Sequence, residues 1–313
     1  MLPGCIWRSL TQPKSFRAYP NWLPGMTSLI GMSSLYTTDS PLYVFAFPLY
    51  ACGMAKISLK DKIVLITGAS SGIGEACARA FAAEGCKLIL AARRLDRLQK
   101  LATELGVPAL TVQLDVTDSQ AVQSAITHLP AEWQAVDILI NNAGMAAGAA
   151  KLQDYKVEDM DAMIDANVKG LLYVTRAVLP GMVQRQRGHV INMGSVAGHY
   201  AYANGAVYCA SKAAVRSITE ALKQDLLGTP VRISAVSPGL VETEFSVVRF
   251  GGDAERAKKV YEGTVPMTGD DIAEMIVFVA TRPAHININD MIVMSAFQST
   301  PTTVYRNPLP GIN

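Results

Sequence analysis

This sequence predicts a doubly wound α/β domain, a single unit with a seven-stranded parallel sheet and helices on both faces. Three observations carry that reading. From Lys56 onward, short β-branched runs alternate with longer stretches of helical period, the pattern of parallel strands joined by right-handed helical crossovers. The first apolar run, Lys62 to Thr67, leads directly into Gly68-Ala-Ser-Ser-Gly72-Ile-Gly74 and then into a helical pattern. Strand, glycine-rich turn and helix form a dinucleotide-binding context. Half of the 313 residues are apolar, enough for a substantial core, and nothing in the composition calls for a second one.

The elements follow in order. After the first strand, a helix from Ile73 to Glu84 turns Cys77, Ala80 and Phe81 inward and stops at Gly85, a residue suited to a left-handed cap. Lys87 to Ala92 is the second strand. Leu95, Leu98, Leu101, Ala102 and Leu105 mark one face of the next helix, closed by Gly106 and Pro108. Ala109 to Val116 and Val136 to Asn141 read as strands, flanking a helix that Asp118 or Ser119 caps. A long helical stretch, Val157 to Gln184, precedes the strand His189 to Met193. The helix bearing Tyr208 runs to Leu227, and Val231 to Val236 with Asp290 to Met294 completes the sheet. Folds of this kind bind ligands beyond the carboxyl ends of their strands.

A formal net charge of +2 gives no global attraction for nucleic acid or a membrane surface. Cys5, Cys52, Cys77, Cys86 and Cys209 show no Cys-x-x-Cys spacing, which suits a reducing compartment and a cytoplasmic location. The four histidines are scattered, so no metal site is expected. Residues 1–54 differ from the rest: they lack a period, contain several Pro and Ser, and carry Asp39 as their only acid. They read as a poorly structured extension, a disordered tail or an extended start before Met54. Their prolines oppose the amphipathic helix of a transit peptide. Leu42 to Cys52 is apolar but interrupted by Pro48, and is too short to span a bilayer.

Tyr208 and Lys212 are four residues apart in Tyr-Cys-Ala-Ser-Lys, so one helix face carries both. A cation beside a phenol favours phenolate and lowers its pKa, which suits acid/base work. The glycine turn lets the backbone approach a pyrophosphate at the helix N-terminus. At the end of the second strand stand Arg93 and Arg94. An NAD site places Asp or Glu there for the ribose hydroxyls, whereas a ribose phosphate needs cations, so the pair argues for NADP. Of the two, Arg93 is favoured for the phosphate, and Arg94 also fits a plain surface arginine opening a helix.

Thr67 with Gly-x-x-x-Gly-x-Gly, then Asn141-Asn142-Ala143-Gly144, Ser195 and Tyr208-x-x-x-Lys212, in that order, resembles the short-chain dehydrogenase/reductase family. The resemblance covers residues 57 to 297. It implies a Rossmann-type NADP-binding domain over residues 55–313 and a catalytic tetrad of Asn167, Ser195, Tyr208 and Lys212. Tyr208 would then exchange a proton with the substrate oxygen and Ser195 would hydrogen-bond that oxygen. Lys212 would lower the Tyr208 pKa and hold the nicotinamide ribose, and Asn167 would fix a water relaying protons to the lysine. For the cofactor it implies Gly68, Ser70, Gly72, Ile73 and Gly74 in the turn, Asp115 and Val116 at the adenine, and Asn141, Ala143 and Gly144 closing the cleft. Pro238, Gly239, Val241 and Thr243 match the nicotinamide-amide contact. His199 and Cys209 receive no role and read as a neutral loop histidine and a small buried thiol.

Ala131-Glu132-Trp133, the stretches Ala177 to Val183, Glu244 to Phe250 and Arg282 to Ile288, and the ending Gln298 to Arg306 look like the NADP-dependent 3-hydroxy acid dehydrogenases of that family. Those enzymes oxidise serine, allo-threonine and related short 3-hydroxy acids, or reduce malonic semialdehyde. Ala201, in place of proline, and Cys209 depart from that pattern. A short acid needs its carboxylate recognised, and Arg249, on the loop after Thr243, is the candidate; Arg306 is a second, acting across a subunit interface. The resemblance also implies a homodimer or homotetramer. Two alternatives stay open: a reductase of a larger ketone, such as an acyl thioester or sterol, and a non-catalytic NADP-binding sensor. The usual mark of the latter, a lost Tyr or Lys, is absent.

Overall fold

A computed structural model describes residues 56–312; the reading of residues 1–54 as an extension lies outside the described residues. Seven parallel strands form one sheet in the order β3-β2-β1-β4-β5-β6-β7. In chain order β1 is Ile63–Thr67, β2 Lys87–Ala92, β3 Ala109–Gln113, β4 Ile138–Asn141, β5 His189–Met193, β6 Arg232–Pro238 and β7 Asp290–Val293. The helices are α1 Gly72–Ala83, α2 Leu95–Glu104, α3 Ser119–Thr127, α4 Val157–Ile164, α5 Leu171–Gln184, α6 Ala206–Asp225, α7 Glu244–Arg249, α8 Ala254–Lys259 and α9 Gly269–Ala280.

Strand alternation divides the core between two faces. Val64, Ile66, Leu88, Leu90 and Ile140 pack with Phe81 of α1 and Ile272 and Ile276 of α9. Leu65, Ile89, Leu139 and Val190 point the other way, onto Val174, Val178 and Met182 of α5. Each fully buried side chain of this kind contributes about 1.5–3 kcal/mol. The order reverses between β1 and β4, and the crevice at their carboxyl ends is where such sheets take ligands.

Local chemistry sets several boundaries. Gly85 (φ 76°) and Gly106 (φ 66°) end α1 and α2 in the left-handed region, and Asp118 caps α3 by accepting from the N–H groups of Gln120 and Ala121 at 2.9 Å. β3 stops at Gln113 rather than Val116, because Asp115 Oδ1 accepts from Thr117 N at 3.0 Å and turns the chain. The stretch from Val157 to Gln184 is not one regular helix. A wide π-helical turn, Asp165–Gly170, separates α4 from α5 and contains Asn167. The segment after Thr243 is likewise not a loop but carries α7 and α8, so Arg249 is the last residue of a helix.

Candidate active site

The crevice begins at a turn whose backbone only glycine accommodates. Gly68 (φ 66°) and Gly72 (φ 55°) adopt left-handed conformations, and a Cβ on Gly74 would run into the Gly68 carbonyl oxygen. Thr67 ties this turn to the end of β4: its hydroxyl accepts from Asn142 N at 3.1 Å and Ala143 N at 3.0 Å. Asn142 returns the contact by donating to Thr67 O at 2.9 Å. The Asn141 side chain faces away from the crevice, donating to Thr175 Oγ1 at 2.8 Å and Asn192 Oδ1 at 2.9 Å. Its part in the site is therefore to brace β4 against α5 and β5.

Arg94, not Arg93, is laced into the turn. Its Nε donates to Ser70 Oγ at 3.1 Å and its Nη2 to Ser71 Oγ at 2.7 Å, while Arg93 is exposed at the rim. Glu244 of α7 bridges Arg94 and Arg97 at 3.1 and 2.8 Å. No acid occupies the two positions that follow β2. Asp115 is exposed next to half-buried Val116. A Cβ on Gly170 would lie 2.7 Å from Val116 Cγ2, so the π-turn rests on that side chain.

Asn167, Ser195, Tyr208 and Lys212 come together on the far side of the crevice from three segments: the π-turn, the stretch after β5, and α6, which carries both Tyr208 and Lys212. Asn167 Oδ1 accepts from Met145 N at 2.7 Å, and its Nδ2 donates to Met145 O at 2.8 Å and Ser211 Oγ at 3.0 Å. The π-turn thus aims a residue at the loop after β4, a known use of such turns. A Cβ on Gly144 would lie 2.9 Å from Asn167 Oδ1 and 3.7 Å from Lys212 Nζ, so the glycine keeps that corner open. Ser195 follows β5, and its hydroxyl accepts from Ala197 N at 3.1 Å.

One expectation is reversed. Tyr208 is not held below the ordinary tyrosine range. Burial pushes its pKa up to about 12, against the Ser195 hydroxyl and the charge of Arg249, which lower it. Lys212 does not bond the phenol; its Nζ donates to Met193 O at 2.9 Å. Burial pushes the ammonium down to about 8. Desolvation of two groups in one apolar pocket outweighs the attraction that the spacing suggests.

The roof over Tyr208 is α7. The Phe245 ring stands 5.8 Å from the Tyr208 ring at 57°, and the Arg249 guanidinium lies 5.8 Å from the Tyr208 and Tyr202 rings and 5.9 Å from Phe250. Arg249 Nε donates to Gly148 O at 3.3 Å and Nη2 to Tyr202 Oη at 3.2 Å. Among the described residues it forms no ion pair. Thr243 caps α7 and sits against the glycine turn, its Cβ 3.2 Å from where a Cβ on Gly72 would be. Tyr261 holds the roof from behind, donating to Val241 O at 2.9 Å. Pro238 and Gly239 turn beside Ser195. Gln298 accepts from Leu240 N at 2.8 Å and fixes that turn.

Within its own chain Arg306 lies outside this cluster and donates to the carbonyls of Val260 and Glu262 at 3.2 and 2.6 Å. His199 is no isolated loop histidine. Its Nε2 lies 2.9 Å from Asp290 Oδ2, and Ser237 donates to the other oxygen at 2.8 Å. Tyr202 and Ser211 belong to the site yet carry no sequence signal, and Phe245 and Gln298 fall in stretches whose resemblance gives them no individual role, since each meets its partners only through the fold. Among the described residues no group of three or more His, Cys, Asp or Glu could hold a metal ion, and no helix is long and apolar enough to cross a membrane.

Known proteins are similar to this chain in sequence and fold. The family model for short chain dehydrogenase matches residues 62–250. An NADP-dependent 3-hydroxy acid dehydrogenase of Salmonella typhi is 52% identical over 238 residues, covering 76% of this chain and 96% of that protein. A serine 3-dehydrogenase of Agrobacterium fabrum is 44% identical over 75% of this chain and 94% of its own length. Among solved structures, the closed form of a serine dehydrogenase complexed with NADP+ superposes with a TM-score of 0.75 at 48% identity, covering 80% of this chain and 98% of that one. Sequence, topology and the geometry of the crevice agree: the chain belongs to the short-chain dehydrogenase/reductase family.

Proposed function

We propose that this chain is an NADP-dependent dehydrogenase of short 3-hydroxy acids, and in reverse a reductase of the matching 3-oxo acids or semialdehydes. The carrying observation is Arg249, a half-buried guanidinium without an acidic partner among the described residues, packed against the ring of Tyr208. A charge in that position stabilises an anion brought beside the reacting oxygen. The relatives support the class by name, as 3-hydroxy acid and serine dehydrogenases.

The residues present fit a phosphorylated dinucleotide. The turn from Gly68 to Gly74 is packed against Asn142, Ala143 and Thr243 so closely that side chains would collide, and it leads into the N-terminus of α1, whose free N–H groups suit a pyrophosphate. Arg93 and Arg94 supply cations at the end of β2, and neither position carries the acid that binds ribose hydroxyls in NAD sites, although Glu244 pairs with Arg94. When bound, the nicotinamide takes up or delivers the hydride.

The remaining chemistry belongs to the chain. Ser195 donates a hydrogen bond to the substrate oxygen as charge develops there, and Tyr208 accepts that oxygen's proton in oxidation and returns it in reduction. A phenol pushed up to about 12 gives up its proton reluctantly, so the ammonium of Lys212 has to be charged during turnover to favour the phenolate that acts as base. Asn167 holds the loop from Gly144 to Met145 against Ser211, whose hydroxyl donates to Tyr208 O at 2.8 Å. A pocket for a large apolar ketone has little use for Arg249, and a sensor has none for an intact Tyr–Lys pair.

The test is turnover of 3-hydroxypropionate and serine with NADP+, followed by nicotinamide absorbance. Arg249→Ala is expected to raise the KM of these acids about tenfold or more, leaving their uncharged esters unchanged. Equal effects on acid and ester overturn the reading.

A further inference from the structure

The ring of Tyr202 occupies a position that the fold makes for it. Gly205, the residue before α6, has no side chain, and a Cβ there would run into Tyr202 Cε2 and lie 2.7 Å from Cζ. On its other side the ring packs in the small apolar cluster of Tyr208, Met163, Ala146, Ala147 and Phe245. The phenol oxygen accepts from Arg249 Nη2 at 3.2 Å. Acceptance leaves the phenol's own hydrogen uncommitted, and among the described residues no acceptor takes it. Nη1 of Arg249 is equally without a partner among the described residues.

Two kinds of donor, a phenol O–H and a guanidinium N–H, therefore stand adjacent to each other and to Tyr208. A carboxylate has two oxygens and about four acceptor sites, more than one guanidinium edge uses. We propose that Tyr202 is a specificity-determining residue whose hydroxyl donates a second hydrogen bond to the substrate carboxylate held by Arg249. The inference rests on the reading of Arg249 as the carboxylate site. Burial keeps the Tyr202 phenol protonated, and so a donor, above the ordinary tyrosine range, against the opposing charge of Arg249. Its ring has few rotatable bonds and is already wedged against Gly205, so little conformational freedom is lost on binding.

The competing role is purely supportive: Tyr202 orients Arg249 and touches no substrate. Tyr202→Phe keeps the ring and removes only the hydroxyl. Kinetics are measured for 3-hydroxypropionate and its methyl ester in four proteins: wild type, Tyr202→Phe, Arg249→Ala and the double variant, with NADP+ affinity confirming an intact cofactor site. Tyr202→Phe should raise the KM of the acid about tenfold, keep kcat within about twofold and leave the ester unaffected. The same loss should recur in the Arg249→Ala background. If Tyr202→Phe weakens acid and ester alike, or has no effect once Arg249 is gone, the proposal fails and the phenol is only a support. If Arg249→Ala leaves the discrimination intact, the reading of Arg249 fails, and Tyr202 is judged by its own variant in the wild-type background.

Discussion

The floor and the roof of the crevice are built on different principles. In the floor, backbone lies against backbone where Gly74 fits under the Gly68 carbonyl, and the side chains of Thr67 and Asn142 tie two strand ends to main-chain groups with bonds of 2.9 to 3.1 Å. The roof is made of side chains on one short helix, with ring contacts near 5.8 Å and a half-buried arginine. Glu244 is the clasp between them, since it leaves the first turn of α7 to reach Arg94 and Arg97. The floor thus rests largely on main-chain atoms that every residue has, whereas the roof rests on side-chain atoms that substitution changes. The floor should therefore be intolerant of single atoms and the roof tolerant except at its polar contacts.

The largest expected effect tests the residue on which both halves converge. Tyr208→Phe removes the proton donor and should lower kcat by about 10²–10⁴-fold, with NADP+ binding retained. A loss smaller than tenfold in steady-state turnover would mean that another group moves the proton. Next comes the contrast itself. Gly74→Ala should cost about 1–3 kcal/mol of stability through overpacking and weaken NADPH binding, whereas Val248→Ala, on the exposed face of α7, should stay within about 0.5 kcal/mol. Thermal unfolding with NADPH fluorescence titration reads both, and comparable losses would break the distinction between floor and roof.

A further effect concerns the buried ammonium. Lys212 titrates at about 8 in the folded chain and at 10.5 ordinarily. Between those values the unfolded chain binds the extra proton, so this group makes stability rise with pH across the window, by at most about 1.4 kcal/mol per unit. Below about 8 its penalty is constant. Urea midpoints at pH 8 and 9 should rise for the wild type relative to Lys212→Met; parallel changes would show that Lys212 stays charged in the fold.

Much of the floor was readable beforehand. β2 and β5 have the limits their apolar runs suggest, Gly85 and Gly106 end helices with positive φ, and Asp118 caps α3. These features depend on residues close in sequence. The π-turn at Asn167 was not readable, because its extra residue is fixed by contacts with Val116, Met145 and Ser211 from elsewhere in the chain. Nor was the preference for Arg94 over Arg93, which turns on Ser70 and Ser71. The direction of the Tyr208 shift failed for a related reason: a spacing of four residues reports a neighbour's charge but not how much water both have lost.

Short-range order settled the strand and helix pattern, the glycine turn, the Tyr–Lys spacing and the choice of cations at the end of β2. Each follows from covalent geometry, periodicity or the charge of adjacent residues. Packing settled which arginine joins the turn, that Arg306 serves carbonyls, and that Tyr202 stands beside Arg249 over Tyr208. Those outcomes depend on distances between residues remote in sequence and on desolvation, quantities that exist only once the chain has closed on itself.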